Sequence, residues 1–397
     1  MEFWEDITES APIRHKNHVQ SNEAVKTKKR KKMKTKRNQL PALLLLILLL
    51  AGIIIYFQWP RYEMIPLGSL GGTFGTAEAI NNFGQIAGWS QLSSGDQHAF
   101  IWDKVKGIRD IGTLGGRNSL ARDLNDKGQV VGYAENLSGS RHAFVWSRDA
   151  GMNELIIPNG DSSDATAINN KGQIVGFYDT NDNGRHAFLW DSQNGFFTDL
   201  GALKGKASSA ADINSHGQVV GQFMDPNGKE HAFYWDKQDG MIDLAGPIGQ
   251  ESHAVCINDK GQVVGNIFVR EINNYSAFIW EKGKGIKDLK ISEIESYADK
   301  INEAGQIIGY LRADKFLFFP KKSFSYIRTK LGLVVNLQKS GRTVNDVIKA
   351  KAINNEGWIA GQIDSTTLSP RYQPVLLKPK ESPLRKLREK IPWGQKN

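Results

Sequence analysis

Hydrophobic and polar positions alternate in short runs along most of this chain, with period two rather than the 3.6 of a helix. Four such runs recur in a fixed order and are labelled a to d. Run a ends in Ile-Asn, as in Ala77 to Asn81, and run b follows a turn of the form Asn-x-x-Gly, as in Gln173 to Phe177. Run c is aromatic, as in His98-Ala99-Phe100-Ile101-Trp102, and run d is Ile108 to Ile111 and its equivalents. Each is predicted to be a β-strand. Glycine in the turn, where φ is positive, predicts a tight a–b hairpin. The Asn side chain is expected to bond its own turn backbone.

The Asn of run a falls at 81, 125, 169, 214, 258, 302 and 354, at intervals of 44, 44, 45, 44, 44 and 52 residues. Four antiparallel strands per period of this length predict one blade of a β-propeller, all-β and seven-bladed. Run a carries Ala at 77, 121, 165, 210, 254, 298 and 350, which suits an innermost strand where blades converge. An open solenoid would give the same local signals. The ends of the repeat favour a ring. Leu67 lies fourteen residues before Asn81, the spacing from run d to the next Asn, so Tyr62 to Leu67 is a run d with no unit before it. The seventh copy ends in a run c, Gln373 to Leu377, with no run d. Pairing the two closes the ring. The sixth unit is irregular: Lys315 to Phe319 is expected as its strand c, and Ser340 to Lys349 as a loop or short helix.

Leu40 to Phe57 contains eighteen residues without a charge and would span about 27 Å as a helix, enough to cross a bilayer. Tyr56, Phe57 and Trp59 would form its interfacial belt. Nine of the twelve residues from Lys26 to Arg37 are Lys or Arg, which keeps that side cytoplasmic and sends the body across. The predicted organisation is a disordered basic tail (1–39), a transmembrane helix (40–59), the propeller (60–378) and a basic amphipathic tail (379–397). A cleaved signal peptide is the rival for the apolar run. In the last segment, 383–393 is expected as a helix lying either on headgroups or against the propeller rim.

The net charge of +9 divides into +6 for residues 1–39, +5 for 378–397 and −2 for the rest. The body therefore offers no broad positive face, and no nucleic-acid partner is expected. One cysteine, Cys256, leaves the redox compartment open.

The runs His98-Ala-Phe, His142-Ala-Phe, His186-Ala-Phe and His231-Ala-Phe, with Ser276-Ala-Phe in the fifth unit, resemble the HAF-repeat family of exported propeller-like proteins. The resemblance covers roughly 62–378 and brings no established catalytic residues. Equivalent histidines on successive blades stand apart, so they are expected to hydrogen-bond a neighbouring loop rather than to share a metal. Asp179 to Gly184 opens like an EF-hand loop, but position twelve is Trp190, so it is expected as a b–c turn. No cofactor or metal is expected. Charges that change from copy to copy at or near the axis, Glu78, Arg122, Asp123, Asp212, Asp299, Lys300 and Lys351, are the candidate ligand site, against which stands a reading as salt-bridged channel wall. The function these features favour is a non-catalytic, membrane-tethered propeller that binds a protein or glycan outside the cytoplasm. The alternatives are an envelope hydrolase with its site at one channel mouth, and a secreted factor that inserts in a foreign membrane.

Overall fold

A computed structural model describes residues 62–380, except 159, 161, 182–183, 204, 206, 247–249, 293–294, 314–321, 341–346 and 365–371. The basic tail, the apolar run 40–59 and the segment 381–397 lie outside the described residues. Among the described residues no helix is long and apolar enough to cross a membrane.

Among the described residues the fold is all-β, with a 3-10 turn at Leu337–Ser340. The first unit sets the pattern, with strands a to d at Gly71–Ile80, Ile86–Leu92, Gln97–Asp103 and Gly107–Asp110, paired antiparallel in that order. The next five units repeat it, and the third and fourth are joined by a single parallel bridge between Arg185 and Ala207. The seventh has strands Val347–Ile353, Ile359–Asp364 and Tyr372–Pro379, and its fourth strand is Tyr62–Pro66, in register from Tyr62 opposite Pro379 to Pro66 opposite Val375. Leu67 N–H then donates to Pro374 O (3.0 Å), as Ile111 does to Ala99 O (3.0 Å) in the first unit.

Two glycines shape each unit. In the a–b turn, Gly84 has φ 75° and its N–H reaches Asn81 O at 3.1 Å, which closes the hairpin as the spacing predicts. In strand b, Gly176 faces Ala165 next to a bulge, and a Cβ there would lie 2.0 Å from Asp164 O. The pinch lets Phe188 of strand c, fully buried, lie across it. Core clusters form between neighbours rather than within units: Ile101 and Ile111 pack with Leu124 and Phe144, and Leu376 and Ala352 of the seventh unit pack with Ala77 and Phe100 of the first.

A serine hydroxyl joins most neighbours. Ala99 N–H donates to Ser119 Oγ (2.9 Å), and the same bond recurs at Ala143–Ser163, Ala187–Ser208, Ala232–Ser252 and Ala277–Ser296. Between the sixth and seventh units it is reversed, Ala350 N–H donating to Ser325 Oγ (3.0 Å). The seventh and first units carry Pro374 and Gly75 at these places, so donor and acceptor are both gone.

The sixth unit corrects the sequence reading. Its strand c is Lys322–Arg328, with Tyr326 opposite Gly309 where the first five units place Phe, and its strand d is Val334–Asn336. Lys315 to Phe319 fall outside the described residues; of Ser340 to Lys349, expected as loop or short helix, Ser340 ends a 3-10 turn, 341–346 lie outside the described residues, and Val347 to Lys349 instead open strand a, Val347–Ile353. The eight extra residues divide into five between strands b and c and three after strand d. The histidines are corrected too. Each lies against an acid on strand d of its own unit: His98 Nδ1 to Asp110 (2.8 Å), His142 to Glu154 (2.9 Å), His186 to Asp199 (3.0 Å) and His231 to Asp243 (3.3 Å). Ser276 Oγ bonds Asp288 at 2.8 Å in the fifth unit.

Candidate functional site

The seven turn asparagines come together at one end of the molecule. In the first unit, Asn81 Oδ1 accepts Phe83 N–H (3.1 Å) and Gln85 N–H (2.9 Å), as the turn chemistry predicts. Its Nδ2 donates to Asn125 O (3.1 Å) of the next unit, which the sequence reading did not foresee. The bond repeats from 125 to 169, 169 to 214, 214 to 258, 258 to 302 and 302 to 354, and then from Asn354 Nδ2 to Asn81 O at 3.1 Å. All seven asparagines are buried. An outer set follows the same path, as Asn82 N–H meets Asp126 Oδ1 (2.9 Å) and Asn355 N–H meets Asn82 Oδ1 (3.1 Å).

Inside this collar is a cavity of about 220 Å³ lined by Glu78, Asp123, Asp212, Cys256 and Lys300 together with the asparagines. Strand a places the last four at one structural position, the residue just past its bulge. Asp123 Oδ2 accepts Ile168 N–H (2.9 Å), and Asp212 Oδ2 accepts Ile257 N–H (3.0 Å), each from the next unit. Cys256 Sγ accepts Ile301 N–H at 3.5 Å in the same way. These side chains therefore fasten neighbours as well as line the cavity. Lys300 cannot accept; its Nζ lies 3.9 Å from Asp212 Oδ2 of the fourth unit, two units away.

The electrostatics follow from this enclosure. Burial pushes the Asp123 carboxyl up to about 6, with the Asp212 charge adding to the rise and Lys300 opposing it. Burial opposes the charge on Lys300, but Asp212, Asp123 and Asp299 outweigh it and its pKa is raised. Burial likewise pushes the Cys256 thiol well up, so it stays protonated and is a poor nucleophile.

The sequence-predicted residues thus divide. Glu78, Asp123, Asp212 and Lys300 line the cavity. Arg122, Asp299 and Lys351 occupy the bulge itself and do not. Arg122 Nη2 grips the buried Asp164 at 2.9 Å and stacks near Tyr133 (5.6 Å). Asp299 has Lys351 and Lys300 as its charged neighbours, and burial pushes its carboxyl up to about 7. Of the EF-hand-like stretch, Asp179 holds Arg185 at 2.9 Å and Thr180 N–H meets Gly184 O (3.0 Å), a b–c turn as expected; 182 and 183 lie outside the described residues.

The family model described as "Protein of unknown function (DUF3466)" matches residues 74–203. No curated protein matches the sequence. Among solved structures, the chain is similar to puromycin hydrolase (11% identity over 77% of this chain and 54% of that one, TM-score 0.54). It is similar to the acylaminoacyl peptidase of Pyrococcus horikoshii (11%, 83% and 56%, TM-score 0.51) and to the β-propeller domain of the Trilobed protease from Pyrococcus furiosus (13%, 77% and 84%, TM-score 0.43). The chain spans about half the length of the first two. The likeness is one of fold: an all-β, propeller-like scaffold.

Proposed function

We propose that the body is a closed, seven-bladed propeller of the HAF-repeat kind that binds a protein or glycan partner at its asparagine-turn mouth and performs no chemistry of its own. It is held outside the cytoplasm by one membrane span at 40–59, with its N-terminus inside. The asparagine cycle and the shared seventh sheet support closure. The observation that carries the binding role is the residue just past the bulge. Strand pairing, turn and collar repeat around it, yet it is Ala79, Asp123, Ala167, Asp212, Cys256, Lys300 and Ala352 in turn. A rigid frame with one varied, inward-facing position is the arrangement of a recognition pocket.

Photo-crosslinking from Lys127 on the mouth and from Arg117 at the opposite end, in cells producing the full chain, tests this. Discrete adducts from Lys127 alone support the reading; adducts from Arg117 alone overturn it. The envelope-hydrolase reading draws on the raised Asp123 and Asp299 carboxyls. It would displace the binding reading if ester or glycan probes were turned over by the full chain and Asp123→Asn ended that turnover. Protease protection of the N-terminal tail in intact producing cells separates a resident envelope protein from a secreted factor.

A further inference from the structure

The a–b turns of all seven units and the c–d turns of the first six lie at the same end, because the four strands alternate in direction. Around most of that end the tips are polar. Lys127, Lys171, His216 and Lys260 occupy the third turn position in the second to fifth units. The sector of the sixth, seventh and first units differs. There Phe83 is 75% exposed, Val105 92%, Leu331 79% and Leu333 40%. Exposed lysines flank them at 104, 106, 330 and 380, and Lys378 lies with its Nζ 4.5 Å from the Trp358 ring centroid. Tyr62 and Pro379, the two ends of the described sheet, face each other in the middle of this sector.

Single exposed apolar residues are ordinary, and Phe196 in the third unit is one. Apolar tips grouped with lysines are not, since a hydrophobic tip inserts among acyl chains while ammonium groups meet anionic headgroups. The acids nearby are fewer. Asp103 is committed to Arg109 (2.7 Å) and to Lys106 N–H (2.7 Å), and Glu303 accepts Asp259 N–H (2.7 Å), which leaves Glu63 and Glu356.

We propose that this edge, through Phe83, Val105, Leu331 and the lysines beside them, rests on an anionic lipid surface. Contact along one edge leaves the asparagine mouth open over the headgroups, within reach of a partner held at the membrane. The proposal takes from the anchored reading only that a bilayer is at hand.

The test uses the full chain with a single environment-sensitive dye at Phe83→Cys, Val105→Cys or Leu331→Cys; the native Cys256 is buried and does not compete. Leu137→Cys, 90% exposed on a b–c turn at the opposite end, is the control. The chain is placed in nanodiscs of phosphatidylcholine alone or with phosphatidylglycerol. Headgroup-borne nitroxide is expected to quench the three tips at least threefold more than the control, only with the anionic lipid, and Lys104→Glu with Lys106→Glu and Lys330→Glu is expected to abolish the difference. Equal quenching at tips and control in a chain that has incorporated overturns the lipid edge and leaves the anchor standing. Tip quenching by a chain that binds discs peripherally and washes off at high salt supports the edge and removes the anchor. Tips shielded from an aqueous quencher without lipid quenching assign the edge to a protein partner instead.

Discussion

Asn214 makes three kinds of hydrogen bond from one amide. Its Oδ1 holds His216 and Gln218 N–H (both 3.0 Å), and its Nδ2 meets Gln218 Oε1 (2.6 Å) and Asn258 O (3.1 Å) of the next unit. Asn214→Ala leaves buried backbone groups unpaired and is expected to cost about 2–3 kcal/mol, read as a lower thermal midpoint of the full chain in detergent. Asn214→Asp separates turn from collar, because it keeps the acceptor and turns the donor into a second oxygen facing a carbonyl. It is expected to be as unstable as the alanine variant at pH 8 and to recover at pH 5, where a protonated carboxyl can donate; a loss independent of pH would mean the collar bond contributes nothing. Lys300 argues in the opposite sense. Asp123 and Asp299 have folded pKa values of about 6 and about 7, above the ordinary aspartate value, so the folded state holds more protons than the unfolded between about pH 4 and 7. Their contribution to stability is therefore lost as pH rises through that window. Lys300→Met removes the cation they share, and the expected loss is about 2 kcal/mol at pH 8 and markedly less at pH 5, measured by chemical denaturation at both.

The junction of the seventh and first units offers a test at the level of paired strands. Elsewhere an Ala N–H meets a Ser Oγ; here Pro374 has no N–H and Gly75 no hydroxyl, and a Cβ on Gly75 would lie 3.2 Å from Pro374 Cδ. Gly75→Ser alone is expected to destabilise by crowding the ring of Pro374. Gly75→Ser with Pro374→Ala restores the bond made at five other junctions and is expected to regain about 1 kcal/mol over the sum of the single changes, a coupling that a double-mutant cycle measures. Strands a, b and c were legible because their signals are backbone requirements: a positive φ at Gly84, a pinch at Gly176, alternation in His98 to Trp102. The sixth unit misled because Lys315 to Phe319 imitates an aromatic strand, while the true strand puts Ser325 and Tyr326 where Ala and Phe stand in the first five units. The cavity was half legible. Copy-to-copy variation pointed to Glu78, Asp123, Asp212 and Lys300, but it pointed equally to Arg122, Asp299 and Lys351, which sit in the bulge and stay outside the lining, although Glu78, at the same place in the first unit, belongs to it. Cys256 carried no charge to draw notice, and the serines were hidden by being small and common.

At the scale of the molecule, the proposed closure of one chain on itself can fail at the pairing of Tyr62–Pro66 with Tyr372–Pro379. The same strands could be exchanged between two chains with every local bond intact, since an edge strand accepts a partner from either source. Glu63 and Lys378 are direct neighbours across this seam and both reach solvent, so Glu63→Cys with Lys378→Cys places two thiols opposite each other without opening the core. Under oxidation the full chain in detergent is expected to run as a cross-linked monomer on a non-reducing gel. Its thermal midpoint should rise by several degrees and fall back on reduction, because the link closes a loop of nearly the whole body and restricts the unfolded chain by up to about 5 kcal/mol. A disulfide-linked dimer would mean that the seam is exchanged between chains, and that the asparagine cycle is completed in a pair of molecules rather than in one. A monomer whose midpoint does not move would show that the seam opens only after the rest of the ring has come apart, which would place the weakest junction elsewhere, with the sixth unit and its two long loops the first place to look.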